Sequence, residues 1–377
     1  MGDHRRTVRE ILTLARVPGI GPARLRALLE HFQDSGAILR ATVRDLVAVP
    51  GIEQKTAFTI SSFFRNGIPP DTVAFVDDQL ARMDLTGAAF VHILDDAYPP
   101  HLRRVYDPPA YLFTLGCIVA QDAAAVAIVG TRDPDAYGKR LAEVFAAALV
   151  ARGITVVSGL ARGIDTIAHA AALQAGGRTI AVIGSGVDVI YPGENVGLAR
   201  RIATHGAVLS EFPMGTKPDA VNFPQRNRVV SGMTLGTLVI QTRVDGGAMI
   251  TARSALDQDR EVFAIPSPVN GRDRSGTNLL LREGRAMLIE TAEDIITELG
   301  PHLFGLIPDV PPPSEPALPT LSLFEQQVYD VLGAEPLHID MIAERTSLTP
   351  ADALVRLLGL ECKSVVRQLP GKHFIRL

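Results

Sequence analysis

The stretch ITVVSGLARGIDTIAHAAALQAGGRTIAVIG, residues 154–184, contains one complete strand–helix–strand unit. Its two ends are short apolar runs rich in Val and Ile, which are typical of strands buried on both faces of a parallel sheet. Between them, residues 164–175 have the spacing of an amphipathic helix. A unit of this kind predicts a right-handed crossover between two parallel strands.

The same alternation of strand and helix extends in both directions, from about residue 71 to residue 300. It predicts an α/β fold with a doubly wound, mainly parallel sheet. In such sheets ligands bind beyond the carboxyl ends of the strands. The other apolar runs that read as buried strands are 125–130, 237–242 and 261–266, and the other helical patterns are 136–151 and 248–259.

The composition limits the class of protein. The chain has 377 residues, 47% hydrophobic and 21% charged, which is enough for two or three globular domains. A formal net charge of −4 means that any surface for a nucleic acid is local. Cys117 and Cys362 match no metal or redox spacing, and no apolar run is long enough to span a membrane. We therefore expect a cytoplasmic protein with no membrane partner, no metal and no cofactor.

The N-terminal residues contain a weak internal repeat. VPGIGPARLRALLEHF begins at Val17 and VPGIEQKTAFTISSFF at Val49, and each joins a Pro-Gly-Ile turn to a helical pattern. The first copy has a Gly-Ile-Gly turn, whose backbone N–H groups can bind a phosphate without reading bases. This is the signature of a helix-hairpin-helix, or SAM-like, domain. Two roles stay open for it: a contact with DNA, supported by Arg24 and Arg26, or a small helical cap.

The C-terminal part begins with a proline-rich linker, which favours an extended spacer. Three helical patterns and a hairpin-like end follow, the order of a winged helix. The third helix, 349–360, has Arg356 as its one cation, and this favours docking of a partner over reading of DNA. The predicted organisation is a helix-hairpin-helix domain (1–70), the α/β core (71–300), the linker (301–320) and a winged-helix-like domain (321–377).

Glycine-rich turns follow three of the predicted strands. GTR (130–132), SGLARGID (158–165) and GSGVD (184–188) stand at the strand ends, and FPQRNRVVSG (223–232) adds a ring and two arginines. Glycine lets backbone N–H groups face an anion, arginine offers a planar fork to phosphate, and a phenylalanine ring stacks on a base. One sheet edge therefore forms a candidate phosphate-binding surface. Its loop glycines are Gly130, Gly159, Gly163, Gly184 and Gly186.

Two other classes of protein fit parts of this pattern. One is a nucleotide-binding or nucleotide-hydrolysing enzyme, because DGGAMITA (245–252) resembles phosphate-cradling turns in some nucleotide-cleaving enzymes. Against a dinucleotide site, GSGVDVI has Val189 where the fingerprint needs its third glycine, and no P-loop motif is present in the sequence. The other class is a scaffold that binds proteins through its winged domain.

No group of residues makes a convincing catalytic site. His169 is expected to be a packed helix residue, and no nucleophile elbow accompanies it. Asp188, Glu194 and Glu211 are candidate metal ligands, but Glu211 is at least as well placed to pair with Arg226 or Arg228. The sequence therefore favours binding over catalysis.

The order of the motifs closely resembles the DNA-processing protein A family (DprA, also called Smf). The resemblance spans about residues 90–290. The motifs that carry it are GTR, SGLARGID, GSGVDVIYPGEN, SEFP, NFPQRNRVVSG, GGAMITARSALDQDREVFAIPS and SGTNLLLREGRA.

Membership of this family implies an extended Rossmann-like core that binds single-stranded DNA without sequence preference. It also implies a homodimer formed through that core and loading of the recombinase RecA onto incoming strands during natural transformation. The family is not regarded as enzymatic. The DNA-binding residues that carry over are Arg132, Arg162, Phe223, Arg226 and Asn227, with Arg228 and Lys217 as weaker candidates.

Within that set, Arg226 and Asn227 are expected to hold phosphates while Phe223 supports a base. The chain departs from the family pattern at two positions. Ala220 stands where some members have a lysine, a loss that Lys217 is placed to replace, and Gln241 stands where many have an acid. The role of that strand end stays open.

Overall fold

The structure is a computed structural model that describes residues 2–268, 275–307, 321–333, 336–363 and 365–376. The chain divides into two compact units, Met1–Pro312 and Pro313–Leu377. Of the predicted linker 301–320, residues 308–320 lie outside the described ranges, and its first residues end the last helix of the first unit. The other predicted domain boundaries stay predictions.

The first unit begins with a helical module that packs onto the sheet. Pro22 occupies the first turn of the second helix, and the Asp34 side chain caps the third by accepting from two backbone N–H groups. Leu25 and Leu28 belong to the same buried cluster as one face of the sheet, so the module shares its core. Its helices are α1 (Gly2–Leu14), α2 (Pro22–Phe32), α3 (Ser35–Arg40), α4 (Val43–Val47) and α5 (Gln54–Arg65), and α6 (Pro70–Thr86) leads into the sheet.

A nine-stranded sheet forms the centre of the first unit, in the order β1-β2-β6-β5-β4-β3-β7-β8-β9. The pairs β1–β2 and β2–β6 are antiparallel, and the other pairs are parallel. The strands are β1 (Ala89–His92), β2 (Tyr111–Gly116), β3 (Ala125–Val129), β4 (Thr155–Ser158), β5 (Thr179–Val182), β6 (Ala207–Ser210), β7 (Gly236–Val239), β8 (Glu261–Ala264) and β9 (Met287–Leu288).

Helices cover both faces of the sheet, as the predicted doubly wound fold requires. Val126 and Ile128 of β3 belong to one buried cluster with α8, α9 and α14, whereas Ala127 and Val129 belong to another with α11 and α12. The alternation follows from the two-residue period of a strand. The core helices are α7 (Pro100–Arg103), α8 (Ala136–Ala151), α9 (Ile164–Gln174), α10 (Val196–His205), α11 (Asn222–Gly232), α12 (Gly247–Asp257), α13 (Gly276–Arg282) and α14 (Ala292–Leu303), with short 3₁₀ turns at Ala120–Ala123 and Gly193–Asn195.

The sheet changes winding direction between β3 and β7. From β3 the chain proceeds through β4, β5 and β6 on one side, and from β7 it proceeds through β8 and β9 on the other. Val129 and Val239 are paired at the carboxyl ends of these two neighbours. A crevice opens at such a switch point, because the connections leave the two strands in opposite directions.

The second unit has the predicted winged-helix arrangement. Thr349 caps the third helix by accepting from the N–H of Asp352, and Ile342, Leu357 and Phe374 fill the core. The strand β10 was not predicted from the sequence. The elements are α15 (Leu323–Val331), β10 (Leu337–His338), α16 (Ile339–Thr346), α17 (Pro350–Cys362), β11 (Val366–Leu369) and β12 (His373–Arg376), in a sheet ordered β10-β12-β11. No helix in the described ranges is long and apolar enough to cross a membrane.

Candidate nucleic-acid interface

A cavity of about 520 Å³ lies at the switch point of the sheet. One wall comes from the carboxyl ends of β3 and β4, a second from α11, and a third from the connection between β7 and α12. FPQRNRVVSG thus forms most of a helix whose first turns face the cavity. The residues that line the cavity include Gly130, Arg132, Gly159, Asp165, Ala220, Phe223, Arg226, Asn227, Gly246, Gly247, Ala248 and Thr251.

An exposed cation and two aromatic rings meet at the mouth of this cavity. The guanidinium carbon of Arg132 lies 5.6 Å from the centre of the Phe223 ring, within the range of a cation–π contact. The ring of Tyr191 lies 6.1 Å from that of Phe223 and is 44% exposed. A smaller cavity of about 40 Å³ is lined by all three side chains. Tyr191 was not among the residues predicted from the sequence, although its position as an aromatic residue in the turn YPGEN is a signal that points to it.

Arg226 lies at the base of the cavity and is only 5% exposed. Its Nη1 donates to the carbonyl oxygens of Gly159 and Val182, and its Nε donates to Oδ1 of Asn227 at 3.2 Å. Burial lowers the pKa of Arg226 to about 10, although Asp165 acts in the opposite direction. The structure therefore presents a buried, internally bonded cation, and the predicted phosphate contacts of Arg226 and Asn227 stay predictions.

Asp165 holds the loop after β4 in place. Its Oδ2 accepts from the N–H of Gly159 at 3.1 Å and from that of Ala161 at 3.3 Å. The carboxyl is buried, and this desolvation raises its pKa against the influence of Arg226. Asp165 and Arg226 are thus two buried charges of opposite sign on neighbouring walls of the cavity.

The predicted phosphate-facing glycines have different roles in the structure. The N–H of Gly159 donates to Asp165 and that of Gly186 to the carbonyl of Thr216, so neither is directed at a ligand. Gly163 has a φ of +78°, and a Cβ there would lie 2.4 Å from the carbonyl oxygen of Thr131. Gly130 lines the large cavity and Gly184 the small one. A phosphate contact at Gly130, Gly163 or Gly184 stays a prediction.

Three predicted cations lie away from the walls of the large cavity. Arg162 pairs with Glu194 at 3.0 Å on the surface and lines the small cavity. Arg228 is 18% exposed and pairs with Glu211 and Asp107. Lys217 is exposed and lines neither cavity. Ala220, the position of the missing family lysine, does line the large cavity.

The candidate metal ligands separate into three ion pairs. Glu194 binds Arg162, Glu211 binds Arg228, and Asp188 binds Arg82 at 2.9 Å. The alternative that Glu211 pairs with Arg226 is wrong. Over the described ranges, no group of three histidine, cysteine or acidic side chains is arranged to hold a metal ion.

Two buried titratable groups have strongly shifted pKa values. Burial raises the pKa of Glu211 to about 7, although Arg228 opposes this, and Oε1 has no hydrogen-bond partner in the described structure. His169 is fully buried, bonds to the hydroxyl of Thr179, and has its pKa lowered to about 3 by burial. His169 is therefore a packed helix residue, as expected.

Gln241, the second departure from the family pattern, forms hydrogen bonds with Asp135, the residue that caps the start of α8. Its Nε2 donates to Oδ2 of Asp135 at 3.1 Å, and its Oε1 accepts from the Asp135 N–H at 3.2 Å. Gln241 is 1% exposed, and a Cβ on Gly138 would lie 2.6 Å from its Oε1. The Gln241 side chain therefore holds the start of α8 in place and does not line the cavity.

The two arginines of the first helix-hairpin-helix repeat donate hydrogen bonds to backbone carbonyl groups of the protein itself. Arg24 donates to the carbonyl oxygens of Gly19 and Gly51 and so ties the two repeats together. Arg26 donates to the carbonyl of Pro108 in the core at 3.2 Å. These contacts favour the helical-cap role for the module.

The fold and the cavity define a Rossmann-like ligand-binding core flanked by a helix-hairpin-helix module and a winged helix. The sequence pattern of the family described as DNA recombination-mediator protein A matches residues 89–300, and the chain belongs to this family. The DprA winged helix domain matches residues 312–372, and a SAM-like helix-hairpin-helix tandem matches residues 11–66.

Three relatives illustrate the similarity. Protein Smf of Escherichia coli K12 is 39% identical over 285 residues, which are 74% of this chain and 75% of that protein. The X-ray structure of DNA processing protein A from Streptococcus pneumoniae superposes with a TM-score of 0.67 at 32% identity, over 78% of this chain and 98% of that one. DNA processing protein A from Helicobacter pylori, whose structure concerns its single-stranded DNA binding mode, has a TM-score of 0.51 at 31% identity, over 56% and 95%.

Proposed function

We propose that this protein binds single-stranded DNA without sequence preference at the switch-point cavity and delivers the strand to RecA during natural transformation. One observation carries the proposal: exposed Arg132 lies over the ring of Phe223, beside Tyr191, at the cavity mouth. A cation and aromatic platforms are the two components that sequence-tolerant single-strand sites combine. The single-stranded DNA binding mode described for the Helicobacter pylori relative supports the same ligand class.

The proposed division of roles follows from exposure. Arg132 is exposed, and its guanidinium group lies above the ring of Phe223. In the proposed complex Arg132 binds a phosphate of the strand and Phe223 stacks on the adjoining base. Arg226 is buried at the base of the cavity and acts through its positive potential. Arg162 reaches a phosphate by leaving Glu194, because an exposed ion pair contributes only about 0–1 kcal/mol. Arg228 is held by two carboxylates and receives no role in DNA binding.

The absence of sequence preference has a physical reason in this proposal. Every base offers a face to a ring, and every nucleotide offers a phosphate to a cation. The affinity is therefore expected to fall with salt, because bound phosphates release their counterions. The proposed action consists of binding and delivery, and no bond is made or broken.

Fluorescence anisotropy with labelled oligothymidylate, over a salt series and with duplex DNA as competitor, tests the site. Phe223→Ala is expected to weaken binding by about 1–3 kcal/mol, the contribution of one stacked base. Arg132→Ala is expected to reduce the slope of log affinity against log salt by about 0.7, the value for one single-strand phosphate. Arg140→Ala, which removes an exposed cation that lines neither cavity, is the matched control. Affinity that survives loss of both Arg132 and Phe223 would favour the protein-docking scaffold instead.

The recombinase step has its own test. The family's description as a recombination mediator supports it. With RecA and DNA coated by single-strand-binding protein, wild type is expected to raise the rate of RecA ATP hydrolysis, and the variant lacking Arg132 and Phe223 is expected to raise it less. If wild type and the variant raised the rate of RecA ATP hydrolysis equally, RecA activation would not depend on DNA binding by Arg132 and Phe223.

We further propose a homodimer formed through the core, in the cytoplasm. From the sequence, the apolar stretches near 231–240 and 262–266 are candidates either for the dimer face or for the core. In the structure 231–240 and 262–265 are buried within the first unit, and Pro266 is exposed. The homodimer therefore uses another surface of the core. Sedimentation velocity over a concentration series measures the association, and a sedimentation coefficient that stays at the monomer value would contradict it.

A further inference from the structure

Four basic side chains lie close together at the edge of the sheet opposite the cavity. Arg260 directly precedes β8, and His101 donates through Nε2 to the carbonyl of Ala123, just before β3, at 2.9 Å. Arg260 donates through Nη2 to the carbonyl of His101 at 3.0 Å. Arg104 follows α7, and His302 lies in the last turn of α14. Because β3 and β8 begin here, the cluster marks the amino-terminal edge of the sheet.

The positive charges of this cluster repel one another. Burial lowers the pKa of Arg260, and the charge of Arg104 lowers it further, although Asp259 opposes this. Burial also lowers the pKa of His101, and the other three basic groups act in the same direction against its hydrogen bond to Ala123. Within the described ranges neither Arg104 nor Arg260 forms an ion pair. A bound anion would relieve this repulsion.

Arg260 also has an unused hydrogen-bond donor. Its Nε is buried and has no partner in the described part of the chain. The carbonyl ends of α7, α12 and α14 attract cations to this edge, but such a carbonyl accepts only from Nη2 of Arg260. Buried polar groups are normally paired, so the free Nε points to an acceptor on a ligand. The planar fork of a guanidinium group matches the oxygens of a phosphate.

An exposed aromatic ring follows these cations in the chain. Tyr106 comes two residues after Arg104, in the connection from α7 to β2, and is 94% exposed. Val105, between them, is buried in the core and anchors the connection. A cation and a ring are also the pair at the cavity mouth, where Arg132 lies over Phe223. Sites that bind single strands without sequence preference combine these two components.

Helix α12 connects the cavity to this cluster. It begins with Gly247, which lines the cavity, and ends at Asp257, three residues before Arg260. Its eleven residues make it about 16 Å long, at about 1.5 Å per residue. Arg253, near its middle, is exposed and has no ion pair among the described residues. A strand that leaves the cavity along α12 therefore passes a free cation before it reaches the cluster.

We infer that the amino-terminal edge of the sheet is a second contact site for single-stranded DNA, at which Arg104 and Arg260 bind a backbone phosphate and Tyr106 stacks on an adjoining base. This inference rests on the proposed function, because the strand is the one held in the cavity. Only a strand long enough to follow α12 reaches both sites. Such a strand binds more tightly than a short one, because its second contact forms within the complex.

Fluorescence anisotropy of the full chain with oligothymidylates of about 4 and about 16 nucleotides, the range of single-strand site sizes, tests this inference. Arg104→Ala is expected to leave the affinity for the short strand unchanged. With the long strand it is expected to reduce the slope of log affinity against log salt by about 0.7, the value for one phosphate. Arg104→Lys keeps the charge and is expected to retain the slope. Arg200→Ala is the matched control, because Arg200 is an exposed cation of α10 without an ion pair in the described ranges.

Tyr106→Ala tests the stacking contact separately from the charge. It is expected to weaken binding of the long strand at least about fivefold, as loss of one stacked base does, and to leave the short strand unchanged. Phe58→Ala, which removes an exposed ring from α5, is the control and is expected to bind both strands like wild type. Arg104 and Tyr106 are both exposed, so their substitution retains the fold, which circular dichroism checks.

The length of the strand separates this inference from the proposed function. If Arg104→Ala leaves the salt slope of the long strand unchanged, or Tyr106→Ala leaves its affinity unchanged, the inference is overturned even when the short strand binds through Arg132 and Phe223. The cluster would then suit an acidic protein segment. Equal losses for the two strands would also overturn it, because the short strand does not follow α12 to this edge. Failure of wild type to bind either strand would overturn the proposed function itself.

Discussion

The guanidinium group of Arg226 lies directly against the backbone of Gly159. Its Nη1 donates to the Gly159 carbonyl oxygen, and a Cβ on Gly159 would lie 2.6 Å from the guanidinium carbon. The glycine is therefore required by the arginine, and both belong to the floor of the cavity. The sequence predicts that Arg226 contacts a ligand. In the structure its guanidinium group instead binds backbone carbonyl groups inside the protein.

Arg226→Ala is expected to lower the free energy of unfolding by about 3 kcal/mol, the scale for removing one partner of a buried charge pair. The reason is that Asp165 and two backbone carbonyls lose their cation. Arg132→Ala, at an exposed position, is expected to leave stability within about 0.5 kcal/mol of wild type. Urea unfolding followed by circular dichroism measures both, and equal stability of the two variants would contradict the structural role of Arg226.

Gly159→Ala is expected to destabilise the protein by about 1–3 kcal/mol, because the added methyl collides with the guanidinium. In an Arg226→Ala background the same change is expected to cost much less, since the obstacle is gone. A double-mutant cycle, measured by urea unfolding, gives the coupling energy between Gly159 and Arg226. Additive effects would show that the two residues do not constrain each other.

Glu211 predicts a specific dependence of stability on pH. Burial raises its pKa from 4.5 to about 7, so the folded state binds the proton more tightly than the unfolded state does. The contribution of Glu211 to the free energy of unfolding is fully present below pH 4.5 and is lost as pH rises through about 7. Glu211→Gln, which does not titrate, is expected to remove about 1–3 kcal/mol of this change in unfolding free energy. Parallel pH profiles of wild type and variant would contradict the raised pKa.

Gln241→Glu tests why an amide stands at this strand end. A carboxylate there would face that of Asp135, with which Gln241 now shares two hydrogen bonds. The variant is expected to be less stable by about 1–3 kcal/mol at neutral pH and to recover in acid, because two adjacent carboxylates share one proton. Gln121→Glu, at an exposed glutamine, is the control. Equal losses at neutral and acid pH would exclude charge repulsion as the cause.

Arg24→Ala separates the two roles of the helix-hairpin-helix module. The side chain joins the turns of the two repeats through two carbonyl oxygens. Its loss is expected to lower the unfolding free energy by about 1 kcal/mol and to leave single-strand affinity unchanged. Weaker DNA binding without a change in stability would favour the DNA-contact role.

The type of fold could be predicted from local sequence patterns. Apolar runs and helical periods are local, and they located five strands of the central sheet, its parallel winding and the glycine-rich turns at its edge. Strands β1, β2, β6 and β9 escaped the prediction. β9 has only two residues and β1 is only partly buried, so their hydrophobic patterns are weak.

The role of each charged side chain could not be predicted in this way. Arg226 and Arg228 stand two residues apart in one helix, yet one lines the cavity and the other pairs with Glu211 and Asp107. Tyr191 meets Phe223 across 32 residues of chain, and Arg162 meets Glu194 across the same span. These roles depend on desolvation and ion pairing, and both are set by neighbours that the topology brings together. Those neighbours lie far apart along the chain, where no local pattern records them.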